Sequence, residues 1–123
     1  MKVAIPTWNG KVSPVFDVAT HLLVVDIKGG EEISRSELFI NEAEVHFRVK
    51  QIASLGVDVI ICGAISWWLE ELLVSNGIQV ISQICGDVEK VLEAFKSRQL
   101  MEHKFLMPGC CARRRRFRGP QRF

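Results

Sequence analysis

The side chains best equipped for chemistry in this sequence are its four cysteines, Cys62, Cys85, Cys110 and Cys111. Thiolate sulfur is the ligand that iron, zinc and sulfur-bridged clusters prefer. Cys62 opens the stretch Cys62-Gly63-Ala64-Ile65-Ser66, in which Gly63 allows close backbone approach to a ligand and Ser66 can cap a helix. The free N–H groups and positive dipole end of such a helix favour an anion. Cys85 stands just before a second helix start at Asp87. Two thiols near two helix N-termini suit an anionic, sulfur-rich metal centre, with Cys62 and Cys85 as metal ligands. The plainer alternative makes Cys62 a small core residue and Cys85 an ordinary turn residue. Cys110 and Cys111 are adjacent and lack the C-x-x-C spacing that wraps one ion. The Met107-Pro108-Gly109 lead-in still allows an arm to bring a sulfur to a site built elsewhere. An unengaged reduced pair is the alternative.

Other chemistries find less support. Two-metal phosphodiester cleavage needs converging carboxylates, and the first strand offers Val3, Ala4 and Ile5 where an inward acid is wanted, while Asp17, Asp26 and Asp58 are scattered. No nucleophile–base–orienter set, phosphate-cradling glycine loop or acid pair can be assembled, so no enzyme is expected. His21, His46 and His103 are not spaced as a ligand set, and only His103, next to the tail, merits a test. Trp67-Trp68 opens a helix, where one ring is expected to fill the core and the other to wall a pocket.

The elements that must hold these residues follow from hydrophobic period. Val3–Pro6 reads as a short strand, 7–17 as a loop, His21–Ile27 as a nearly continuous apolar strand, and 33–39 as a polar edge strand reached through the Gly29-Gly30 turn. From Ala43 the period becomes helical, with Val45, Val49, Ile52 and Ala53 on one face and Gly56 as the stop. Then come a buried strand over 57–62, a helix from Ser66 to Gly77, a strand over 78–82, and a helix from Asp87 burying Val88, Val91, Leu92 and Phe95. Right-handed crossovers turn this βββαβαβα order into an α/β fold, a five-stranded mixed sheet of order 3-2-1-4-5 with strand two antiparallel, the ribonuclease H-like three-layer arrangement. A crevice is expected between the carboxyl ends of strands one and four. The loop from Pro6 to Asp17 and the turn from Cys62 to Ser66 line it. The cofactor-binding candidates are therefore Cys62, Gly63, Ala64 and Ser66, faced by Ser13 and Phe16.

Composition bounds the rest. The 123 residues suit one domain, and 48% hydrophobic with 24% charged residues is a globular balance. Six of the 16 basic residues follow Cys111, which leaves ten basic against 14 acidic residues in 1–111, an acidic body with a basic end. A nucleic-acid grip usually has a basic body, so such binding is not expected beyond a weak contact of the tail. No window approaches the roughly 18 uninterrupted apolar residues of a membrane span. With neither a leader pattern nor a disulfide framework, the expected setting is cytoplasmic with reduced thiols. The domain is expected over 1–100, followed by a flexible Cys- and Arg-rich tail over 101–123.

The start MKVAIPT, the loop GKVSPVFDVA followed by LLVVDI, the stretch GVDVIICGAIS, the phrase NGIQVI and the helix DVEKVLEAFKSRQL together resemble the dinitrogenase iron-molybdenum cofactor biosynthesis family. That family includes the NifX and NifY proteins and the carboxy-terminal domain of NifB. The likeness covers about residues 1–100, and the ending FLMPGCCARRRRFRG is similar to that of a stand-alone subgroup. The resemblance implies a ribonuclease H-like fold without nuclease activity and the binding, carriage or insertion of metal-sulfur cofactors or their precursors, iron-sulfur or molybdenum-iron-sulfur, in concert with a client or assembly protein. Many relatives read SPHF where this chain reads Ser13-Pro14-Val15-Phe16. Val15 cannot ligate, so a cluster would have to use Cys62, Cys85 or the tail. A different class of function also fits the residues: a regulatory or interaction module that binds a partner protein or a small anion without metal.

Overall fold

The computed structural model describes residues 1–40 and 44–97, together with the backbone of 117–118. The elements in chain order are β1 (Lys2–Trp8), β2 (Lys11–Val12), a 3-10 turn (Phe16–Val18), β3 (His21–Lys28), β4 (Glu31–Phe39), α1 (Val45–Ser54), β5 (Val59–Ile61), α2 (Trp67–Ser75), β6 (Gln79–Ile81), α3 (Val88–Lys96) and β7 (Phe117–Arg118). The main sheet runs β4-β3-β1-β5-β6-β7, with β2 paired to the end of β1 outside this path. β1, β5 and β6 are mutually parallel, while β3 runs against both β1 and β4.

Two strands were not expected. β2 lies inside the stretch that reads as loop, because Asn9 and Gly10 both take positive φ, 52° and 77°, the mirror-image turn that folds Trp8 back onto Lys11. β7 lies in the segment read as a flexible tail and pairs antiparallel with β6, Phe117 opposite Ile81. The helix expected from Ala43 begins at Val45, where the Glu44 carboxylate accepts the Phe47 N–H.

Side-chain alternation divides the interior into two cores. Val3, Ile5, Val25, Val59, Ile61 and Ile81 pack on α3 through Val88, Val91 and Leu92. Ala4, Leu22, Ile60, Cys62 and Val80 face the opposite side, where α1 contributes Val49 and Ile52, and α2 contributes Leu69 and Leu73. Each fully buried Leu or Ile contributes about 1.5–3 kcal/mol relative to exposure. The central strands are thus covered on both faces, as their continuous hydrophobicity requires, whereas β4 is exposed along almost its whole length. Among the described residues, no helix is long and apolar enough to cross a membrane.

Candidate functional site

At the carboxyl ends of β1 and β5 the chain meets itself. Loop 13–20 lies against the turn that follows β5, with Val15 bridging Ala64. The Ala64 N–H donates to Pro14 O at 2.8 Å, and the Phe16 N–H donates to Ala64 O at 2.8 Å. Gly63 makes this contact possible. A Cβ built there would lie 2.6 Å from Pro14 O and 2.8 Å from Ser13 O, closer than carbon and carbonyl oxygen can approach. The sequence reading has Gly63 admitting a ligand's close approach; in the fold the backbone that approaches it is the chain's own. Ser13 is buried with its N–H bonded to Pro6 O, and Phe16 lies wholly inside the α1/α2 core.

The α2 N-terminus is likewise engaged. Ser66 Oγ accepts the Leu69 N–H, the cap read from the sequence. The Ser66 N–H donates to Asp17 Oδ1 at 2.8 Å, so a carboxylate of this chain already holds the position foreseen for a bound anion. Arg48 fixes the same loop from below. Its Nη1 and Nη2 donate to Ala19 O, and Nη2 also donates to Asp17 O, with the guanidinium 5.9 Å from the Phe16 ring centre. Burial lowers the Arg48 pKa and the nearby Asp17 carboxylate opposes that shift. An arginine on the apolar face of a helix gave no sign of this in the sequence beyond its position one residue before Val49.

The two described thiols differ. Cys62 is fully buried in the α1/α2 core, and its thiol is pushed up, first by burial and then by the Glu70 and Asp17 carboxylates, so it stays protonated. Its placement matches the small-core-residue alternative rather than an available thiolate. Cys85 is partly exposed in the loop after β6, and neither is in a disulfide. The Ile84 N–H donates to Cys62 O, and Gln83, at a left-handed φ of 64°, donates its N–H to Gly63 O, so the Cys85 loop is tied to the same turn. From the other side the Val12 N–H reaches Gly86 O and the Val88 N–H reaches Gly10 O. Loop 13–20, the 62–66 turn and the 82–87 loop therefore share one edge of the sheet. Among the described residues no three His, Cys, Asp or Glu side chains gather to hold a metal ion. Cys110, Cys111 and His103 lie outside the described residues.

Trp67 and Trp68 depart from expectation. Neither ring enters the core; they are 66% and 57% exposed, because Leu69 and Leu73, one turn apart, hold the buried stripe of α2. Val15 and Val18 on the facing loop are exposed as well. His21 and His46 are exposed, His46 beside Glu44.

A three-layer α/β domain whose edge loops and thiol converge at the carboxyl ends of the parallel strands is the architecture in hand. Residues 1–98 match the family described as Dinitrogenase iron-molybdenum cofactor, and the chain belongs to that family. Among solved structures it is similar to PH0822, at 25% identity and a TM-score of 0.77 over 81% of this chain and 92% of that one. A candidate dinitrogenase from Methanocaldococcus jannaschii is 29% identical, with a TM-score of 0.68 over 81% and 91%. The apo form of the orange protein from Desulfovibrio gigas, 20% identical with a TM-score of 0.67 over 80% and 89%, shares the fold. No curated protein matches the chain.

Proposed function

We propose that this chain is an accessory protein, without turnover of its own, that binds, carries or inserts a metal-sulfur cofactor of the iron-molybdenum type or a precursor of it. The observation that supports this most is the family match over residues 1–98. In this reading the cluster is cargo, held at the edge where the 62–66 turn meets the Cys85 loop. Cys85 is the described thiol best disposed as a ligand, Cys110 and Cys111 of the tail complete the sulfur set, and Cys62 joins only if the core packing around it opens. Ser13, Phe16, Gly63, Ala64 and Ser66 shape the seat. The fold is ribonuclease H-like without nuclease chemistry, the domain ends near residue 100, and the MPGCC-Arg tail marks a stand-alone subgroup acting in the cytoplasm. A client or assembly protein meets the exposed Trp67, Trp68, Val15 and Val18; neither nucleic acid nor membrane is a partner.

Anaerobic reconstitution of the full chain with iron, molybdate and sulfide, followed by metal analysis and visible absorption, tests the proposal. The expected result is coloured protein retaining iron or molybdenum through gel filtration, with retention lowered in Cys85→Ser. Colourless, metal-free protein under conditions that load a control protein would overturn it. A second reading, a metal-free module that reads a partner protein or a small anion, is favoured by the Asp17 carboxylate oxygen that accepts the Ser66 N–H at the α2 start. It predicts partner binding that survives replacement of Cys62 and Cys85 by Ser and weakens on changes at Gly63 and Ser66.

A further inference from the structure

The sequence contains three tryptophans, Trp8, Trp67 and Trp68, and all three are exposed. Trp67 and Trp68 are adjacent in the first turn of α2, so their rings make an apolar patch rather than scattered surface residues. Glu71, partly exposed, follows them at i+4 and i+3, which sets a carboxylate on the same side of the helix. An aromatic face beside a carboxylate suits a guanidinium, which stacks on the ring and pairs with the oxygen. Trp8 is set apart from this face. Its hairpin lies against the start of α3, where Gly10 O accepts the Val88 N–H.

Positions 98–116 join the end of α3 to β7, and the place where they end is fixed. β7 pairs antiparallel with β6, Phe117 opposite Ile81, the last residue of β6. The chain entering β7 therefore arrives at the carboxyl end of the sheet, and the four residues before it in sequence are Arg113, Arg114, Arg115 and Arg116. The same end of β6 is tied to the turn that leads into α2: Ile81 O accepts the Cys62 N–H, and Gly63 O accepts the Gln83 N–H. Trp67 follows Gly63 by four positions, and four extended residues span about 13 Å, so a four-residue run starting opposite Ile81 reaches it. Charge points the same way, because six of the 16 basic residues follow Cys111 while the body is acidic. We infer that the exposed Trp67–Trp68 face is the docking site of the chain's own arginine run, 113–116, with guanidinium groups on the indole rings and on the Glu71 carboxylate. β7 is the anchor that makes this encounter intramolecular and so raises the effective concentration of the run. A client that uses the same rings must displace the run; that step alone rests on the function proposed above, and the docking needs neither client nor cargo.

Limited trypsin digestion of the full chain, with cleavage after Arg113, Arg114, Arg115 and Arg116 quantified by mass spectrometry, tests the docking. An isotope-labelled peptide of residues 105–123 in the same tube reports the rate for an undocked run. Wild type should be cut more slowly than the peptide. Trp67→Ala combined with Trp68→Ala should speed cleavage by about 5- to 30-fold, the loss of two cation–π contacts at exposed sites. Glu71→Gln should speed it by a smaller factor, and Trp8→Ala should leave it unchanged. Added salt should speed cleavage of wild type relative to the peptide, since exposed charge pairs are screened. Equal rates in wild type and in the Trp67, Trp68 and Glu71 variants would overturn the inference, because the pairing of β7 on β6 would then account for all protection. Protection that fades on dilution would also overturn it, by placing the run on a second copy of the chain. Glu71→Gln keeps the test decisive if the paired tryptophan substitution lowers the urea midpoint, because its side chain lies outside both cores. None of these readings involves metal, so their failure leaves the proposed cargo standing, and a failed reconstitution leaves the docking standing.

Discussion

Gly63→Ala is the substitution whose cost the local geometry fixes most tightly. The new methyl carbon would stand 2.6 Å from Pro14 O, 2.8 Å from Ser13 O and 3.1 Å from Pro14 C. All three are backbone atoms, so no rotamer change relieves the clash. Loop 13–20 must retreat by about half an ångström or more, an overpacking strain that costs about 1–3 kcal/mol. Retreat also stretches the paired hydrogen bonds joining Ala64 to Pro14 and Phe16, each contributing about 1 kcal/mol. The total is about 2–4 kcal/mol, or a fall in Tm of roughly 10–20 °C for a domain of this size. Gly77→Ala is the control: Gly77 has φ of 81° and open space around its Cβ position, so only the left-handed backbone opposes it, at about 1 kcal/mol. Urea denaturation of both variants reads the difference. A Gly63→Ala loss under about 0.5 kcal/mol, too small for any overpacked core site, would refute the close approach of loop and turn.

Three further outcomes follow from the same geometry. Burial, then Glu70 and Asp17, holds the Cys62 thiol protonated in the fold, whereas unfolding restores its ordinary value of 9.0. The stability this group contributes is complete below that pH and declines above it, by up to about 1.4 kcal/mol per pH unit, a slope that Cys62→Ala removes in denaturation curves between pH 8 and 10.5. Ser66→Ala deletes the acceptor for the Leu69 N–H and should cost about 0.5–2 kcal/mol, read as a shift in urea midpoint at constant m-value. Arg48→Met strands the Ala19 and Asp17 carbonyls while removing a buried cation, with a net loss of about 1–3 kcal/mol and faster proteolysis within 13–20; cleavage that stays at wild-type rates would argue that Arg48 does not fix the loop.

The sheet was legible because its signal is local: continuous apolar runs such as 57–62 read as covered strands, and Gly56 and Gly77 mark the stops of α1 and α2. β2 was missed because two residues carry no period, and its formation depends on the Asn9-Gly10 turn. That loop 13–20 and the 62–66 turn share one sheet edge was readable from the crossover of β1 and β5, but what packs against Gly63 was not. Gly63 looks the same in sequence whether a ligand or Pro14 approaches it, and Asp17 finds Ser66 across 49 positions. Cys62 shows the limit most clearly. Being last in an apolar strand is compatible with a ligand or a core residue, and the alternation that turns it toward Leu69 and Leu73 is decided by register. One ring of the Trp67-Trp68 pair was expected in the core, whereas the Leu69–Leu73 stripe had already claimed the buried face of α2.

The most direct measurement of the central claim is iron K-edge X-ray absorption of the full chain after anaerobic reconstitution. A carrier of a metal-sulfur cofactor should show an iron–sulfur shell with a second shell of iron or molybdenum behind it, and Cys85→Ser should reduce the sulfur count or abolish loading. A first shell of nitrogen and oxygen alone, with no metal–metal scattering, would mean adventitious iron and would contradict the account.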